Sequence, residues 1–359
     1  MNPSSAIPPG RFGRREIDEL RLLLRGGSVV DWFRLHMEQP DAVRAFLRLN
    51  EFDPTEVMDR ARLDDLRDRA QDYLREHLRY RLPERVLGAE IEALFELASG
   101  KGRRAHRLYA CLTLKVMHIL NHVEAHELLS MLPISNAEIG ILLHAKIERV
   151  VRHLRAQRFP LVDFAGNAKS LNSTVGKLLA KKDTQAAQVF DRLRFRLVVE
   201  RLEDVPSLLV VMIREIAPFN YVVPNQSENT LVDLEALLRR AGNVRVGERE
   251  AAQLNEAVAQ DIKREQPMNE FSGPDFRVVN FVAQVPLRVD RIVPFQSRRL
   301  MGLGPLVFGT AEFQIMDEAT AVRNEAGPNR HTLYKRRQMV RIRERLERGR
   351  RARKPSSDA

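Results

Sequence analysis

The stretch Phe308 to Lys335, FGTAEFQIMDEATAVRNEAGPNRHTLYK, constrains the chain more than any other. Ala311, Phe313 and Ile315 alternate with Glu312, Gln314 and Met316, the period of two of a half-buried strand. The pattern then lengthens into a helix from about Asp317 to Glu325, which Gly327-Pro328 breaks. A carboxylate and an amide thus leave one strand face side by side, with a helix packed behind. A strand glutamate taken alone is most often a solvated surface residue.

The N-terminal half follows a different period. From Arg14 to about Gly100, apolar residues recur at helical spacing, among them Ile17, Leu20, Val43, Phe46, Leu63, Leu66, Ile91 and Leu94. Pro40, Pro54, Pro83 and Gly100 separate the helices. Residues 1–12, with Pro3, Pro8, Pro9 and Gly10, read as a flexible lead. Further helices run over 107–132 and, from a cap at Ser135-Asn136, to Arg155. At 359 residues the chain is long enough for two domains. The expected class is α+β: an all-helical domain over 13–150, then a mixed-sheet domain with flanking helices over 151–335. Within the latter, Val189 to Glu200 reads as the first central strand, Leu202 to Ile216 as a helix, and 276–289 as a strong strand. The polar span of about 225–268 reads as an insertion.

Composition narrows the setting. A hydrophobic content of 44% suffices for real cores. The single cysteine, Cys111, excludes a disulfide framework and fits a reducing cytosol. The first residues lack an apolar run after their charges and so do not read as a secretion signal. No segment reaches the roughly 18 to 20 consecutive apolar residues that cross a bilayer. A cytoplasmic protein without a membrane partner is expected, with a homo-oligomer left open. The net charge of +11 favours polyanionic partners. The basic segment 336–359 carries a thin stripe of Met339, Ile342 and Leu346. It reads either as a solvated helix docked by that stripe or as an electrostatic arm for RNA or ribosomes.

Three constellations bear chemistry. His118, His122 and His126, spaced by four, lie on one helix stripe that could ligate zinc through two or three imidazoles or simply edge the core. Gly166 to Lys169 open a helix that places Lys169, Ser173 and Lys177 on one face, near free N–H groups and the positive end of the helix dipole, which suits phosphates. An ordinary solvated lysine face is the plainer reading. Asp191 and Arg196 bracket the first central strand. Strict alternation puts them on opposite faces unless a bulge intervenes or the aspartate precedes the pairing.

The spacing after Glu312 resembles the last motif of RelA/SpoT-type alarmone synthetases, a Glu-x-Gln-Ile strand followed by Glu, Gly, His and Tyr-Lys. Those positions here are Glu312, Gln314, Ile315, Glu325, Gly327, His331, Tyr334 and Lys335. The resemblance covers about Lys146 to Lys335 and nothing in the helical half. It implies a nucleotidyltransferase-like fold that moves the β,γ-pyrophosphate of ATP to the 3′-hydroxyl of GDP or GTP. It further implies Mg2+ held by Asp191 and Glu312, with Glu312 also taking the proton of the attacking hydroxyl. Lys169, Ser173 and Lys177 would hold the ATP phosphates, and Arg196 would stack on adenine. Phe276 stands at the family's base-stacking tyrosine and Asn280 at its histidine. Gln314, His331, Tyr334 and Lys335 would shape the acceptor side.

The departures are specific. Asn167 replaces an arginine, removing a bidentate phosphate fork. Met316-Asp317 stand where the family continues with Arg-Thr, and no His-Asp dipeptide marks a hydrolase site. Whether the chain is an enzyme is therefore open. An altered acceptor such as RNA, a nucleotide- or RNA-binding module without turnover, and an adaptor working through the helical half are the rival readings.

Overall fold

A computed structural model describes residues 19–20, 23–24, 37, 39–168, 170–180, 193–224, 226–233, 275–293, 298–326 and 331–351. Four helices, α1 (Pro40–Leu49), α2 (Val57–Glu76), α3 (Ile91–Ala98) and α4 (Arg104–Met131), surround a core of Phe46, Leu66, Leu74, Leu94 and Leu114. A fifth, α5 (Asn136–Ala156), starts on a capping box: the Ser135 hydroxyl accepts from the Glu138 N–H, and Glu138 accepts from the Ser135 N–H.

The rest is built on one mixed sheet of order β1-β2-β5-β4-β3. Its strands are β1 (Leu161–Ala168), β2 (Leu193–Val199), β3 (Glu228–Asn229), β4 (Val279–Arg288) and β5 (Leu306–Asp317). Neighbours run antiparallel except β2 and β5, which pair in parallel. Helix α6 (Leu171–Ala180) follows β1, α7 (Val205–Glu215) follows β2, and a short α8 (Arg298–Gly302) precedes β5. Helices α9 (Glu318–Asn324) and α10 (His331–Arg351) follow β5. The expected α+β class and the strand–helix reading of 308–325 hold.

Alternation gives the sheet two unlike faces. Phe195, Leu197, Phe281, Phe313 and Ile315 fill one face and pack under α5 and α7 through Ile139, Leu143, Ile147, Leu208 and Met212. Leu20 and Leu23, from near the start of the chain, are buried in the same core. The 150/151 position expected as a domain boundary therefore lies inside a helix whose apolar stripe covers the sheet.

Two local expectations change. Gly166 to Ala168 do not open a helix; they are the end of β1, paired with Phe195 to Leu193, and the helix begins at Leu171. Gly166 is required by close approach, because a Cβ there would stand 2.6 Å from His144 Nε2 and 2.9 Å from Phe195. The span read as an insertion contributes β3, whose Glu228 pairs with Asn280 at the sheet edge. Two described residues do not make a period, so the sequence pattern could not mark that strand.

Candidate functional site

The second sheet face is partly open. At one end the helical half covers it, with Phe308 of β5 against Tyr221 and Ala125 of α4. At the other end α9 covers it, Ala321 packing on Val198, Met316 and Val278. Between these lids lies a polar window of two rows. In the first, Asn167, Arg194, Glu312 and Val282 stand abreast on β1, β2, β5 and β4. In the second, Ala165, Arg196, Gln314, Asn280 and Glu228 stand abreast across all five strands.

Glu312 is the hub, and it is buried to 6% exposure. Its Oε2 accepts from Arg194 Nε at 2.9 Å and its Oε1 from Gln314 Nε2 at 3.2 Å. With the Asn280 amide nitrogen turned inward, that group donates to Oε1 at 3.1 Å and to the Phe313 carbonyl at 3.0 Å. Burial, and then the charge of Glu312, raise the Glu228 carboxyl above its ordinary value. Arg196 donates to Glu325 at 2.7 Å, joining the strand to the residue after α9, while its Nε is buried with no partner among the described residues.

Several expected site residues therefore meet: Glu312, Gln314, Asn280 and Arg196. Ser173 and Lys335 meet elsewhere, at the α6–α10 contact, where Lys335 Nζ donates to Ser173 Oγ at 3.1 Å. Tyr334 packs with Ile342 and Ala180 in that contact, and Arg345 donates to the Leu179 carbonyl at 2.6 Å. Of the basic helix's stripe, Ile342 is buried while Met339 and Leu346 are exposed. Phe276 packs against the cluster of Val198, Val278 and Met316, which takes up part of the ring proposed for stacking. Lys169 and Asp191 lie outside the described residues, as do the side chains of Lys177 and His331.

Sequence reasoning missed Arg194 and Glu228. Arg194 had a signal: in Arg194-Phe195-Arg196 the arginines alternate with a core phenylalanine, so both must share the polar face. Glu228 had none, standing beside a long polar segment.

Of the two expected magnesium ligands only Glu312 is described. Magnesium needs carboxylate lone pairs turned towards it. Here both oxygens face donors, and one of the donors is itself a cation.

The histidine stripe is split by its surroundings. His118 is buried beside Tyr221, its Nδ1 3.3 Å from the Asn220 amide nitrogen, and burial pushes it down to about 3. His122 contacts Gln284 of β4, and His126 lies with its Nε2 3.1 Å from that of His122. Among the described residues no three His, Cys, Asp or Glu side chains meet as a metal site, so a three-histidine zinc site is not formed.

No family model and no curated protein matches the chain. Solved structures do. The small alarmone synthetase 1 from Bacillus subtilis is 12% identical over 58% of this chain and 85% of that chain, with a TM-score of 0.31. This chain resembles the alarmone synthetases. The small alarmone synthetase 2 from the same organism is 12% identical over 63% of this chain and 97% of that one, also at 0.31. A GTP pyrophosphokinase family protein from Streptococcus pneumoniae is 12% identical over 60% of this chain and 87% of that one, again at 0.31. At a TM-score of 0.31 these likenesses carry no argument about this chain's fold or chemistry. No described helix is long and apolar enough to cross a membrane.

Proposed function

We propose that the polar window binds a nucleotide polyphosphate and that this synthetase-like domain responds to the nucleotide without turning it over. The observation behind this reading is the engagement of Glu312 by Arg194, Gln314 and Asn280. A carboxylate so held, with a cation on Oε2 and two amides on Oε1, is poorly placed to take a proton or a second cation. Arg196, with one buried donor unsatisfied, and Asn280 remain as groups that a nucleotide would engage. ATP is the expected ligand, with the cytoplasm as the place of work.

A second reading is magnesium-dependent transfer, in which pyrophosphate leaves the α-phosphate of ATP for the 3′-hydroxyl of a guanine nucleotide or an RNA, giving AMP. Its support is the placing of Glu312, Gln314, Asn280 and Arg196 at adjacent register positions on one face. For transfer, Arg194 must leave Glu312 for an incoming phosphate, where its fork binds well. Glu312 is then free to accept the proton of the attacking hydroxyl.

The deciding experiment pairs calorimetric ATP binding, in magnesium and in EDTA, with transfer of label from γ-labelled ATP to GDP, GTP or bulk tRNA. Binding in both buffers with no transfer is expected. Transfer that Glu312→Gln abolishes establishes the second reading instead. Absence of ATP binding by the full chain overturns both.

A further inference from the structure

We infer that His122, His126 and Gln284 form a site for a divalent d-block cation such as zinc, at the seam between the helical half and the sheet. The two imidazoles project from consecutive turns of α4, and the amide projects from β4 opposite Thr310 of β5. Three donor atoms converge there: the Nε2 of each histidine and Oε1 of Gln284. The two nitrogens are 3.1 Å apart, so a point about 2.1 Å from both subtends roughly 95° at a metal. That is a normal angle for cis ligands.

Hydrogen bonding satisfies this cluster poorly. A neutral imidazole nitrogen presents either one hydrogen or one lone pair, in a single direction. His122 Nε2 faces two partners at once, the Gln284 oxygen and His126 Nε2. If it carries the hydrogen, that hydrogen is shared. If it carries the lone pair, it meets the lone pairs of Gln284. A cation takes all three donors once the His122–Gln284 pair, closer than a hydrogen bond, opens to coordination distance.

The surroundings favour ligation. Phe308 and Tyr221 meet His122 edge to face, forming an apolar wall on one side. His126 is exposed, which gives the ion a way in and leaves a position for water. Two imidazoles and an amide oxygen suit zinc, nickel, cobalt or copper, not magnesium. Gln284 lies one residue pair, about 7 Å, along β4 from Val282, which is abreast of Glu312 on the same face. The inferred ion thus sits at the border of the polar window, distinct from Glu312. This inference does not rest on the proposed function.

The test is calorimetric titration of the untagged full chain with zinc chloride at pH 7.5, alongside thermal melts. One zinc per chain and a higher melting midpoint are expected. His126→Ala, at an exposed position, should lose both effects while keeping its far-ultraviolet spectrum, and His153→Ala, remote from the cluster, should keep both. Gln284→Glu supplies a carboxylate in place of the amide and should tighten binding by about ten-fold or more. Absence of one-to-one binding, survival of binding in His126→Ala, or no tightening in Gln284→Glu overturns the site and leaves the cluster as side-chain packing.

Discussion

Arg194 and Glu312 face each other across the one parallel pairing in the sheet, at adjacent register positions. Arg194 is partly exposed, so its loss costs less than breaking a fully buried pair, yet it strips a hydrogen-bonded cation from a carboxylate that stays buried. Arg194→Ala is expected to destabilise the chain by about 1–3 kcal/mol, and Glu312→Gln in the same chain to restore part of that loss. A double-mutant cycle by urea melts checks this: a coupling under about 0.5 kcal/mol would show that the two side chains act independently. His118 makes a separate prediction about pH. Burial first, then the charge of His122, holds it down to about 3 from an ordinary 6.5. Between those values the unfolded chain binds a proton that the folded chain refuses, so stability falls as pH drops below about 6.5, by up to ~1.4 kcal/mol per pH unit. His122 and His126 are shifted the same way and add to the slope. Urea midpoints at pH 7.5 and 5.5 should differ, the acid one being lower. Equal midpoints would mean that His118 is not held neutral in the fold.

Two elements position the window from behind. Strand β1 comes so close to α5 that Gly166 has His144 and Phe195 where a side chain would go. Both obstacles are rings rather than flexible chain ends, so Gly166→Ala should cost about 1–3 kcal/mol by overpacking. A thermal melt that matches the parent would show that α5 and β1 can separate. Helix α5 itself starts on the Ser135–Glu138 capping box. Ser135→Ala removes that acceptor, and a loss of about 1 kcal/mol in chemical denaturation is expected. The capping box was readable in advance, because Ser at the cap and Glu three residues on are a local pattern. Strand β5 was readable for the same reason over Ala311 to Met316, where apolar and polar residues alternate, and β4 as a strongly apolar run.

At the scale of the whole molecule, the helical half and the sheet are joined by buried ionic and polar ties. Arg62 pairs with Glu124 and donates to the carbonyls of Gly302 and Leu303, both at 3.1 Å, so one guanidinium links α2, α4 and the turn before β5. Arg288 of β4 reaches Asp59 of α2 at 2.7 Å, and Lys146 of α5 reaches the Pro286 carbonyl at 2.8 Å. A fragment beginning at residue 151 would expose Phe195, Phe281 and Phe313, which α5 and α7 cover together. Such a fragment is expected to be insoluble or to lack a cooperative melt, while Arg62→Ala in the full chain should cost about 3–5 kcal/mol. A fragment that melts cooperatively would support the two-domain division expected from the sequence.

What the sequence determined by itself was whatever repeats locally: the helical N-terminal half, the strand–helix run at 306–324, and the Glu312–Gln314 pair on one strand face. Alternation and helical periodicity are properties of neighbours along the chain, so they are visible without a fold. The tertiary structure decided which residues face Glu312. Arg194 and Asn280 come from strands separated from it by tens of residues or more, and their pairing depends on strand order and register, which no short pattern encodes. It decided, too, that His118 belongs to the core while His122 and His126 meet Gln284, because burial separates three residues that helical spacing makes equivalent.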